Sequence, residues 1–237
     1  MFKMNKLNTI FTLYSLTAFI IIIERLSPTT RILLPPYNFI RLHEINQTVI
    51  FLSITIILSC LLLKHITNNF QSLKEKGNSL LLILFAVGIY LYGAGEGWHE
   101  VASFTLNTYC DVNHLINNLC GGLFINDFYA GNIIFFIGGI LMNTSLMALA
   151  AKRPTTQFER KDLIILFANS VVYAFTWFAY AAFDTVLVGL FFSTLLTLIS
   201  LGFFLKVKNK WKVYPYITYS AAAYTLATLA TIIVRFH

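Results

Sequence analysis

Residues 79–103, SLLLILFAVGIYLYGAGEGWHEVAS, run apolar for a helix's length and then place Glu96, His99 and Glu100 inside the same run. About 20 apolar residues suffice to cross a hydrocarbon core of roughly 30 Å, so this stretch reads as a membrane span. Ionisable groups are expensive in lipid and must face protein, water or a bound ion, which makes them the first place to look for a site.

Working outward from this stretch, the remaining apolar runs make seven candidate spans, at about residues 8–25, 46–65, 79–103, 127–151, 163–182, 185–205 and 214–234. The expectation is an all-α, polytopic transmembrane helix bundle forming one domain over residues 1–237. Between the fifth and sixth runs the break is Asp184-Thr185, read as a tight turn with Asp184 as the N-cap of the sixth. The first run begins with Lys3 and Lys6 like a signal peptide, but ends in Glu24-Arg25 without a small-residue cleavage site. It is expected to remain as a span.

Composition agrees. The 237 residues are 57% hydrophobic and 11% charged, with a mean hydropathy of +0.72, against roughly 25% charged residues in a soluble domain. A net charge of +7 is not dense on any polar domain, so nucleic acid is not expected as a partner. The positive charges sit instead in short connectors. Of 17 Lys and Arg residues, 13 fall on the side of the N-terminus and four, Arg25, Arg31, Arg41 and Arg235, on the other. By the positive-inside rule the N-terminus is expected in the cytoplasm and the C-terminus outside. The expected location is the cell membrane, plasma or bacterial inner, and the expected partners are its lipids.

The same topology gathers seven of ten acids and four of five histidines (His43, His99, His114 and His237) at the outer ends of the spans or in outer loops. Glu96, His99 and Glu100 are spaced i, i+3, i+4 and share one helix face with Tyr92. Glu-x-x-His is the spacing by which carboxylate-bridged metal proteins offer two ligands from one helix. The candidate catalytic residues are Glu96, His99 and Glu100, and the candidate ligands for a divalent metal such as zinc are Glu96, His99, His43, His114 and Asp127. A bland alternative stays open, that the triad ends a helix protruding into water, and so does a second functional one, that it lines an ion or proton path.

Gly93-x-x-x-Gly97 reads as a small-residue notch for a neighbouring helix, with Gly138-Gly139 as a candidate partner surface. Asn132 and Asn143 in the fourth span are expected to bond across to other helices. Cys110 and Cys120 bracket His114 on the oxidising side and are expected to form a disulfide. The outer segment 104–126 lacks Lys and Arg and is expected as an interfacial lid.

Tyr214 to Val234 contains no lysine for a rhodopsin-type Schiff base, and no late His-x-x-x-His motif is present. Two functions follow from the outer His and carboxylate pocket. One is a membrane-embedded hydrolase or transferase, metal-assisted or acid-base, acting on a lipid or another membrane-borne substrate. The other is a transporter, channel or non-catalytic assembly subunit.

Overall fold

A computed structural model of the chain describes residues 5–111, 113–115 and 118–237. The described residues are all-helical, 83% helix without a strand. Seven helices are long and apolar enough to cross a membrane: α1 (Lys6–Glu24), α2 (Leu42–Ile66), α3 (Asn78–Tyr109), α4 (Leu119–Lys152), α5 (Arg160–Phe183), α6 (Val188–Val213) and α7 (Pro215–Phe236). By length and composition these helices are those of an integral, multi-pass membrane protein.

The polarity of α3 is inverted relative to a soluble helix. Leu80, Ile83, Val87 and Tyr90 recur at helical spacing on the outside of the bundle, Tyr90 with 72% of its surface open. The opposite face buries Phe85, Gly88 and Gly95. An exposed apolar stripe of this length is stable only against lipid.

Helices α3 and α4 form the tightest pair, because glycine on each lets the other's backbone approach. A Cβ on Gly95 would stand 2.2 Å from Phe135 N, one on Gly138 2.3 Å from Tyr92 N, and one on Gly131 2.7 Å from His99 N. The notch is therefore Gly88 and Gly95 against Gly131 and Gly138. The expected Gly93 and Gly97 do not make it: Gly97 has nothing within 4 Å and Gly93 meets only the Leu52 side chain at 3.6 Å. The i, i+4 pair points elsewhere, and the i, i+7 pair keeps one face to α4. Gly138 was expected correctly, whereas a Cβ on Gly139 would reach only the Tyr92 ring, at 3.9 Å.

Around this pair α7 packs on α5 and α6, α1 on α5 and α2, and α6 on α4. The middle is dense with aromatic rings, including a parallel Phe11–Tyr219 stack with centroids 4.5 Å apart. Buried hydroxyls and amides bond between helices, as in Tyr216 Oη to Asn143 Oδ1 at 2.8 Å and Ser193 Oγ with Thr228 Oγ1 at 2.6 Å. Asn143 thus crosses to α7 as expected. Asn132 instead donates within α4, to the Phe128 carbonyl at 3.3 Å.

Two connections differ from the sequence expectation. Segment 104–126 is not a separate element in the described residues: α3 continues to Tyr109 and α4 begins at Leu119. Between them Cys110 and Cys120 lie at disulfide distance, with Cα atoms 5.6 Å apart; Ile116 and Asn117 of this segment, like Lys3, lie outside the described residues. Asp184 is the C-cap of α5, not the N-cap of α6, which is Leu187. The turn is closed from α7, where Arg235 donates to the carbonyls of Ala181 at 2.7 Å, Asp184 at 2.5 Å and Val186 at 3.2 Å.

Candidate functional site

Two helices that reach the acidic end of the bundle carry a widened π turn there, at Asn46–Phe51 in α2 and Asn126–Gly131 in α4. Such turns rotate the side chains before them relative to the rest of the helix and recur at functional sites. His43 and Glu44 lie just before the first of these turns, and Asp127 lies within the second.

His99, from α3, meets Asp127 where the glycine notch brings the two helices together. Its Nδ1 lies 2.8 Å from Asp127 Oδ1 and 3.2 Å from the main-chain carbonyl of the same residue. The ring N–H is aligned with the carbonyl, and the carboxylate oxygen lies beside it without a hydrogen bond of its own among the described residues. Both oxygens only accept, so the proton sits on Nδ1. In the neutral ring Nε2 is then the lone-pair nitrogen.

The other acids are paired in turn. Glu24 receives four donors: His43 Nδ1 at 2.5 Å, Gln47 Nε2 at 2.9 Å, Asn46 Nδ2 at 3.1 Å and the Thr29 hydroxyl. Glu44 is clasped by Arg41 through its main-chain N–H and guanidinium, and that guanidinium lies 5.2 Å above the Phe104 ring. Glu100 is 2% exposed and stands 3.7 Å from both Arg25 Nη2 and His43 Nε2. Only Glu96 among these five carboxylates makes neither an ion pair nor a hydrogen bond within the described residues.

Glu96 and His99 line a cavity of about 140 Å³ between α1, α3, α4 and α5. Its walls are mostly aromatic, with Tyr92, Phe135, Phe136, Tyr173, Trp177 and Tyr180. Arg25, His99, Asn132 and Tyr180 also line a second cavity of about 290 Å³ nearer the acidic end, bordered by Asp127 and Asp184. These four residues form the neck between the two. The Tyr180 hydroxyl there is buried without a hydrogen-bond partner among the described residues.

The expected residues are thus partly assembled. Glu96, His99 and Asp127 share one place, and Glu100 lies behind them without lining the inner cavity. His43 belongs to the Glu24 cluster next to it. His114 stands apart on the exposed loop, 2.8 Å from Asp111 Oδ2. The Asn113 main-chain N–H, then His114, hold the Asp111 carboxyl below its ordinary range. Among the described residues no three His, Cys, Asp or Glu side chains are grouped to hold a metal ion. The sequence reading missed Glu24, Arg25 and Tyr180 as members; Glu24-Arg25 at the end of a span was the available signal.

No protein-family model matches the chain, and no curated protein or solved structure matches it significantly.

Proposed function

We propose that this protein is a membrane-embedded acid-base enzyme, a hydrolase or transferase, whose substrate is a lipid or another membrane-borne molecule. The observation that carries this reading is the His99–Asp127 pair. Asp127 and its carbonyl hold the proton on Nδ1, which leaves Nε2 to exchange protons in the cavity. That division of roles is the one by which a carboxylate orients a catalytic imidazole.

His99 Nε2 takes the proton from an attacking hydroxyl or water as its oxygen bonds the reacting centre, and returns it to the leaving oxygen or nitrogen as that bond breaks. Arg25 and the unpartnered Tyr180 hydroxyl, at the neck, face negative charge as it develops. Glu100 balances Arg25 and His43 from behind. In this reading the acidic end faces outside the cell membrane, plasma or bacterial inner, and the basic connectors lie in the cytoplasm, an orientation supported by the charge asymmetry.

Mass spectrometry of a total membrane lipid extract, incubated with purified wild type or His99→Gln, tests the proposal. A lipid consumed by wild type and spared by an equally stable His99→Gln supports it; identical lipid profiles overturn it. One observation favours a carrier as the second reading. Asn143 and Tyr173 line both the cavity and a smaller one deeper in the bundle, at the Phe11 and Tyr219 rings. Proton flux in proteoliposomes that Glu96→Gln abolishes would mark that function.

A further inference from the structure

Apart from Asp111 on the outer loop and Asp184 at the α5–α6 turn, five carboxylates packed together at the acidic end face four cationic or imidazole groups. Glu24 is matched by His43, Glu44 by Arg41, Glu100 by Arg25 and Asp127 by His99. Glu96 is the remainder, and it alone of the five borders the inner cavity. Even with both imidazoles protonated, the cluster lacks one positive charge. A carboxylate removed from bulk water either takes up a proton or keeps its charge beside a compensating cation.

The surroundings of Glu96 specify what kind. A small hydrated metal ion takes oxygen ligands, but the wall is built of the rings of Tyr92, Phe136, Tyr173 and Trp177. Aromatic faces attract weakly hydrated organic cations, and rings gathered beside one carboxylate are how proteins recognise substituted ammonium groups. A cavity of about 140 Å³ holds a group of that bulk. Arg25, the competing positive charge, also lines this cavity, but its guanidinium lies 3.7 Å from Glu100 and makes no ion pair with Glu96.

We infer that the inner cavity binds the ammonium group of an amphiphilic amine, with Glu96 as its counter-ion and Trp177 and Tyr173 as its aromatic wall. This assignment rests on the enzyme reading and gives it a substrate class: a membrane-borne molecule with a substituted, positively charged nitrogen. Glu96 and His99 are three residues apart on α3, about 4.5 Å along the axis. The reacting bond therefore lies about one helical turn from the nitrogen, toward the neck.

Isothermal titration in a maltoside detergent tests the assignment with benzyltrimethylammonium, its neutral carbon isostere neopentylbenzene, and benzylsulfonate. The expected order is cation over isostere by about tenfold or more, with the sulfonate weakest. Glu96→Gln and Trp177→Leu each remove most of that preference, and Glu96→Asp retains part of it. His99→Gln keeps the preference for the cation over its isostere, so loss of turnover and loss of recognition fall on different variants. Equal binding of cation and isostere overturns the assignment, as does tighter binding of the sulfonate, which would place the head group on Arg25. A Glu96→Gln protein that keeps the preference also overturns it. If Glu96→Gln fails to fold, the three probes on wild type decide alone.

Discussion

Substituting Gly95 by alanine tests the close approach of α3 and α4 on which the site depends. The added Cβ would stand 2.2 Å from Phe135 N, 2.6 Å from its Cα and 2.7 Å from the Gly131 carbonyl. Ordinary contact begins near 3.4 Å, so the two backbones must part by more than 1 Å. No side chain can rotate away, because every atom met is main chain. Overpacking of this kind costs about 1–3 kcal/mol, and a loss of 1–2 kcal/mol is roughly a 5- to 30-fold fall in the folded-to-unfolded ratio. The same shift carries His99 away from Asp127, since the next contact along the seam is Gly131 against His99 N. Gly97→Ala, two residues along the same helix, has nothing within 4 Å and gains about 1 kcal/mol of helix propensity. Thermal unfolding in detergent, read by the loss of helical circular dichroism, compares the two. Gly95→Ala should melt well below wild type and Gly97→Ala at or above it. A Gly95→Ala protein as stable as wild type would refute the backbone seam.

Three more outcomes follow from the structure. Asp127→Asn keeps the size of the side chain but offers Nδ1 no fixed charge, and turnover should fall by about 10²–10⁴, the range of acid-base catalysis, with thermal stability little changed; unaltered turnover would remove Asp127 from the mechanism. Burial pushes the Asp184 carboxyl above its ordinary range despite the nearby Arg235. The folded state therefore holds that proton to higher pH than the unfolded chain does, so stability falls as pH rises from the usual aspartate value through the raised one. Asp184→Asn, which keeps an acceptor for Val186 N–H, should flatten that decline and be the more stable protein at neutral pH, checked by melting curves across pH. Arg235→Ala leaves three carbonyls of the α5–α6 turn without their donor, and at about 1.5–3 kcal/mol for hydrogen bonds to a charged group should lower the melting midpoint and open residues 181–187 to protease.

Residues whose partners lie on other helices were the least legible from sequence. Glu24-Arg25 reads as the polar end of a span, yet Glu24 collects donors from α2 and the 25–41 loop, while Arg25 joins α3. Glu96, His99 and Glu100 were visible as a group because their partnership lies along one helix. Their separate fates, one unpaired on a cavity wall, one bonded to Asp127 and one behind Arg25, depend on the rotation of α3 against α4 and α1. That rotation is set by Gly95 and Gly138, which look no different in sequence from Gly93 and Gly139.

Hydropathy by itself determined the seven apolar helices, because bilayer thickness imposes a minimum length that each run satisfies without reference to the others. It also determined which ends carry the acids and which the bases. Only the tertiary structure decided which carboxylate keeps no partner, since pairing is a property of distances between helices. Within a low-dielectric interior those distances, and not the count of charges, fix which charged groups interact strongly.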